Sequence, residues 1–220
     1  MAITVGATTT GSTATTGTSV SFSHTISSGE ALVAGATMRY GVANCINDAT
    51  YNGVSMTEAV RYTNGYSTVI YYLTSPSTGA NTLSVSFDSN NRSKVASAVS
   101  LSGTDTTDFI EGTQTIYSAS STTVTGSITT AADGAFGFMT MCTAPTTTFT
   151  ENAGHTNLYN GNVSGEGNSS THVHTYKTFT TAGSNSMGGT LAIAREHSGA
   201  MIAVNAAIIA PTFIPRVVFY

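Results

Sequence analysis

Apolar and polar residues alternate along most of this chain with a period of two. In Thr18–Thr25, Val20, Phe22 and His24 fall on one side and Ser19, Ser21 and Ser23 on the other, the pattern of a half-buried strand. Ala31–Tyr40 is apolar almost throughout and follows a Ser-Ser-Gly turn. Val54–Tyr62 and Thr68–Thr74 flank Asn64-Gly65, a dipeptide whose left-handed preference suits a tight hairpin. Thr82–Phe87 puts Leu83, Val85 and Phe87 on one face, and Val95–Ser102 does the same with Val95, Val99 and Leu101. Beyond the turn-rich Gly103–Asp108 the rhythm repeats more loosely. Strands are expected there at Thr113–Tyr117, Thr122–Thr129, Ala135–Thr143, Thr171–Thr181, Gly189–Arg195 and Ala200–Ile209. No segment joins a helical period to good caps, so helices are expected to be short or absent.

Many short strands separated by turn signals predict an all-β fold, an antiparallel β-sandwich of jelly-roll type with extended terminal arms. Residues 6–19 are Thr, Gly, Ser and Ala only and cannot nucleate a core, so 1–18 is expected as an extended arm or edge segment. Residues 19–210 are expected as a single β-sandwich domain, which a 220-residue chain can fill with one core. Residues 211–220 form an apolar C-terminal arm. The Asn/Gly-rich stretch from Glu151 to Ser170 is expected as a long loop, the kind of segment that carries binding surfaces.

Only 8% of the residues are charged, against roughly 25% in ordinary soluble domains. Solubility must then come from hydroxyls, amides and backbone, which suits a surface largely covered by neighbours. The net charge is −4, and no two of the seven Lys and Arg residues are adjacent, so a phosphate-tracking groove for nucleic acid is not expected. No run approaches the roughly 18 apolar residues of a membrane-spanning helix. The longest, Ala200 to Ala210, is broken by Asn205 and suits a buried strand. Cys45 and Cys142 are too few for a disulfide framework or a zinc site; burial as small apolar residues is the simple reading, with a bridge left open. The sequence runs from Met1 into strand-like residues without a secretion leader, so the expectation is synthesis in the cytoplasm and arrival by assembly.

Four stretches form a familiar set: Val20-Ser-Phe-Ser-His-Thr-Ile-Ser-Ser-Gly29, Ala49-Thr-Tyr-Asn-Gly-Val-Ser-Met-Thr57, Tyr71-Tyr-Leu-Thr-Ser-Pro-Ser-Thr-Gly79 and Ala96-Ser-Ala-Val-Ser-Leu-Ser-Gly-Thr-Asp105. In this order they resemble a poorly characterised β-sandwich domain of phage structural proteins and bacterial surface proteins. Thr104 departs from the apolar residue usual there, and the likeness covers about the first half of the chain. The resemblance implies a jelly-roll or lectin-like sandwich used as a virion or cell-surface module, and it supplies no catalytic residues.

Chemistry-bearing candidates are few. His172 and His174, two apart on a strand, share a face and have the spacing to share a metal, with His155 or Glu166 as third ligand; otherwise they belong to a solvent-facing polar side continued by Tyr176, Thr178 and Thr180. Ser55, His197 and Asp48 are the residue types of a hydrolase triad, with no elbow motif to select them. Glu58, Glu111, Glu151, Glu166 and Glu196 are scattered acids without a glycosidase context. Asp105 and Asp108, with Thr104, Thr106 and Thr107, offer oxygen ligands for calcium or simply an Asx turn. No enzyme and no cofactor is expected. Tyr62, Asn64 and Tyr66 at the hairpin, and Tyr159 with Asn157, Asn160 and Asn162 in the long loop, are candidates to stack and hydrogen-bond a glycan.

Phe213, Ile214, Val217, Val218, Phe219 and Tyr220 carry too much apolar area to stay in water. They either close their own sandwich or dock on a neighbour by strand addition, the option favoured by Pro211 and Pro215. The expectation is a phage virion structural protein, a surface-displayed capsid decoration or fibre-type component made in the host cytoplasm. Its partners would be identical subunits and a capsid or tail protein. The alternative is an adhesin that binds glycans through the loop tyrosines.

Overall fold

The computed structural model describes residues 2–13, 17–39, 45–88, 92–164 and 169–207. They form fifteen strands, and among the described residues there is no helix. The first half contributes β1 (Thr4–Thr13), β2 (Ser19–Ile26), β3 (Ala31–Met38), β4 (Ile46–Tyr51), β5 (Val54–Ser55), β6 (Thr57–Asn64), β7 (Tyr66–Leu73), β8 (Gly79–Phe87) and β9 (Lys94–Ser102). The second contributes β10 (Ile110–Thr130), β11 (Ala135–Thr143), β12 (Phe149–Glu151), β13 (Thr156–Val163), β14 (Ser170–Phe179) and β15 (Gly183–Val204).

The first half pairs in the orders β1-β9-β3-β7-β6 and β2-β8-β4-β5, every pair antiparallel. Two four-stranded sheets interleaved in this way are the jelly-roll arrangement, with β6 added at one edge. The second half repeats that plan with fewer, longer strands. Its main sheet runs β10-β15-β11-β14-β13. Here residues 113–118 of β10 pair with 197–202 of β15, and 197–204 of β15 continue onto β11. Further along, residues 123–130 of β10 pair with 183–190 of β15, and β12 joins β15 at Leu191–Gly189. So β10 takes the places of β1 and β2, and β15 those of β8 and β9. The looser rhythm after residue 110 is thus a second jelly roll, and the stretch expected as one sandwich holds two.

The two jelly rolls stack through their β3 and β11 sheets, which accounts for the three larger cores, beside a small cluster of Tyr66, Cys142 and Ala144. One lies inside the first roll (Val20, Leu32, Ala34, Ala36, Val69, Tyr71, Val85) and one inside the second (Val124, Met139, Met141, Val173, Phe179, Met201). The third joins the rolls and contains Val33, Ile70, Val99, Leu101, Phe136, Phe138 and Ile202. Being covered on both faces, β3 is buried at every position, the reason Ala31–Met38 reads as a continuous apolar run. Gly35 permits the approach: a Cβ there would meet Phe138 Cε1 at 2.6 Å and also Thr140 Cγ2. At Asn64-Gly65 a hairpin forms, with Gly65 at φ 75° and Asn64 paired with Tyr66, while the two-residue left-handed Asn-Gly turn occurs at Asn52-Gly53, at φ 51° and 76°, between β4 and β5.

The Thr/Gly-rich N-terminal stretch is largely edge strand, since Thr4–Thr13 pairs along β9 from Ser102 to Lys94. A part of the expected long loop is likewise strand: β13 pairs with β14. The segment 211–220, with Phe213, Ile214, Val217, Val218, Phe219 and Tyr220, lies outside the described residues. Cys45 and Cys142 are both buried and neither is in a disulfide; Cys45 Sγ donates to Ser67 Oγ at 2.8 Å.

Candidate functional site

The densest polar chemistry lies between the two jelly rolls. His172 and His174 do share a face of β14, but that face points into the interface rather than to solvent, and both rings are fully buried. Thr37 Oγ1 of β3 is 2.8 Å from His172 Nδ1 and 2.8 Å from His174 Nε2. Ser97 Oγ of β9 is 3.0 Å from His174 Nδ1, while Ser170 Oγ is 2.7 Å and Ser93 Oγ 3.3 Å from His172 Nε2. Thr10 Oγ1 extends the chain from Ser97 at 3.0 Å to the Leu158 carbonyl at 3.1 Å.

A hydroxyl has one proton to give, so Thr37 can accept from one imidazole and donate to the other only while the ring it donates to is neutral. Burial enforces that state. It lowers His172 to about 3 and holds His174 well below the ordinary imidazole value, with His172 lowering it further. Both rings already have hydrogen-bond partners on each nitrogen. His155, a suggested third metal ligand, is engaged elsewhere: its Nδ1 donates to the Asn152 carbonyl at 2.7 Å and its Nε2 accepts from Gly188 N at 3.3 Å. Glu166 lies outside the described residues, and among those described no three His, Cys, Asp or Glu side chains are grouped to hold a metal ion.

The remaining candidates are dispersed. Ser55 Oγ donates to Asp48 Oδ2 at 3.3 Å on β5 and β4, whereas His197 is on β15 with Nδ1 toward the Arg195 carbonyl at 3.2 Å. Glu58 pairs with Arg61, Glu111 accepts from Ala131 N, Glu151 accepts from Asn160 Nδ2 at 2.5 Å, and Glu196 is beside Tyr117. Asp105 Oδ1 accepts from Thr107 N at 2.8 Å and Asp108 N at 3.0 Å, an Asx turn that holds its carboxyl below the usual range.

The tyrosines separate. Tyr66 is buried and its hydroxyl donates to the Ala144 carbonyl at 3.1 Å, so its ring offers no stacking face to a sugar. Tyr159 is half-buried on β13. Tyr62 packs on Tyr117 with ring centroids 5.7 Å apart, and Tyr117 is 43% exposed with its hydroxyl 3.5 Å from Glu196 Oε1. Tyr117 was absent from the sequence candidates because it stands 55 residues from Tyr62, and only the stacking of the rolls brings them together. Thr37, Ser93 and Ser97 were missed too. Their signal is faint: small hydroxyl residues within apolar runs that prove to be covered on both faces.

Comparison with known proteins adds no relative: no family model, curated protein or solved structure matches the chain.

Proposed function

We propose that this chain is a phage virion structural protein, displayed on the particle surface as a capsid decoration or fibre-type component and acting through protein–protein contacts. The observation that carries this reading is the doubled jelly roll with neutral outer strand faces. On β2, Ser19, Ser21, Ser23 and Thr25 all face out, and Ser21 Oγ meets Ser84 Oγ of β8 at 2.7 Å. Hydroxyl-bearing faces cost far less to desolvate than charged ones, which favours broad contact with neighbouring subunits. Jelly rolls recur in viral capsid and lectin domains, an analogy at the level of fold. The resemblance carried by residues 20–105 points the same way. The apolar residues Phe213, Ile214, Val217, Val218, Phe219 and Tyr220 are the proposed docking segment on a capsid or tail protein.

The test is a binding assay between the purified chain and the capsid and tail proteins encoded beside it. Deleting residues 212–220 is expected to leave a folded, soluble protein that no longer joins its partner. A full-length chain that binds none of them would refute the proposal, and unfolding of the truncated protein would assign the segment to its own core.

A second reading, glycan adhesion, is favoured by the Tyr62–Tyr117 pair beside Glu196, in which Tyr62 is half-buried and Tyr117 exposed. A glycan array should then show binding that Tyr117→Ala weakens at least tenfold; an array without any signal removes this reading.

A further inference from the structure

We propose that the free edge of β10 from Thr122 to Thr130 pairs with the same edge of a second copy of this chain, antiparallel about a two-fold axis at Gly126. This rests on the reading of the protein as an assembly subunit and names one of its partners. β10 ends its sheet: it bonds to β15 along one side, and among the described residues no strand pairs with its other side. From Thr123 to Thr130 the pairing with β15 has no register shift, so this part of the edge is regular.

Unpaired edges are templates for another strand, and proteins blunt them with charge, proline, bulges or shortness. Most of the other edges here are blunted, β2 being the exception: it is an eight-residue edge that pairs with β8 without a register shift. β6 carries the Glu58–Arg61 ion pair at 2.6 Å and a bulge between Glu58 and Val60. β5 has two residues. β1 has an irregularity between Val5 and Thr8, and β13 has one between Asn157 and Tyr159 with its Leu158 carbonyl already taken by Thr10. β10 from Gly112 to Thr130 has no acidic or basic residue and no proline.

The occupant follows from the sequence of the edge. Thr122-Thr-Val-Thr-Gly126-Ser-Ile-Thr-Thr130 reads the same in chemical class from either end: hydroxyl, hydroxyl, branched apolar, hydroxyl, glycine, and back. An antiparallel partner centred on Gly126 therefore places Thr125 opposite Ser127, Val124 opposite Ile128 and Thr123 opposite Thr129. Thr123, Thr125, Ser127 and Thr129 are exposed, whereas Val124, Gly126 and Ile128 are buried. Hydroxyls thus face hydroxyls on the outer surface and apolar side chains face apolar ones within. A slip of one residue would set Val124 against Ser127 and reverse the faces, so the pattern specifies its register. A two-fold contact needs such a self-complementary patch. With a net charge of −4 on each copy, a charge-free strip is also where two copies meet without repulsion.

The experiment is light scattering after size exclusion on the full chain. The wild type is expected at twice the mass of one chain. Thr125→Lys/Ser127→Lys is expected to be monomeric with an unchanged circular dichroism spectrum, because lysines then stand opposite lysines. Thr125→Glu/Ser127→Glu should also be monomeric, and mixing the two variants should restore a mixed dimer. A wild type that stays monomeric at every soluble concentration overturns the inference. So does a dimer that survives the lysine pair, or one that is lost on deleting residues 211–220 but kept in the lysine variant. A monomeric chain that still joins a capsid or tail protein sinks this interface while leaving the assembly reading intact.

Discussion

At the scale of single residues, the two interface histidines dominate the chemistry. Each accepts its proton less readily in the fold than in the unfolded chain, because burial lowers His172 to about 3 and His174 well below its usual value. The unfolded chain takes up protons first as the pH falls below about 6.5. The stability they contribute is therefore complete above that pH and declines below it, by about 1.4 kcal/mol per unit for each histidine. Between pH 6.5 and 5 the pair should cost the fold about 3 kcal/mol. Urea denaturation at a series of pH values measures this. The double variant His172→Gln/His174→Gln should flatten the profile, leaving a smaller slope to which His24 and His197, which burial also lowers, contribute. An unaltered profile in that variant would show that the pair is not the seat of acid sensitivity. The spacing of His172 and His174 was legible from sequence, but not the direction in which they point. A Thr-rich strand reads as half-exposed, and nothing local reveals a second roll lying on it.

At the scale of strands, period-two alternation located most elements because each outer strand is covered on one face and wet on the other. It worked for β2, where Val20, His24 and Ile26 are buried and the serines exposed. It missed the N-terminal strand, whose Thr, Gly and Ala carry little hydrophobic contrast although they complete a sheet. It also divided β10 and β15, each of which is one strand that bends where its pairing shifts register, between Ser118 and Thr123 on β10. The layering predicts a ranking of local stability. β3, hydrogen-bonded to β7 and β9 and covered on both faces, should show the slowest amide hydrogen exchange, with two-residue β5 and three-residue β12 among the fastest. Exchange in β3 as fast as in β5 would contradict the stacked arrangement.

At the scale of the whole molecule, two rolls of one topology are joined by a core that neither possesses alone. Val33, Ile70, Val99 and Leu101 from one side meet Phe136, Phe138 and Ile202 from the other. Direct bonds also cross, such as Ser198 Oγ to the Asn64 carbonyl at 3.0 Å. Separated halves would expose that apolar face to water, a patch that soluble monomers rarely tolerate. Residues 1–105 and 106–220 expressed apart should be insoluble or aggregate, and co-expressed they should purify as a pair. A soluble, monomeric 1–105 would show that the interface is dispensable.

Local pattern alone determined the all-β class, the Asn64-Gly65 hairpin and the inward face of most outer strands, because alternation, turn chemistry and glycine preferences act over a few residues. Only the folded molecule decided that the chain contains two jelly rolls, that His172 and His174 lie between them, and that Tyr62 meets Tyr117. These depend on contacts between residues far apart in sequence, and a strand covered on its second face carries no local mark of what covers it.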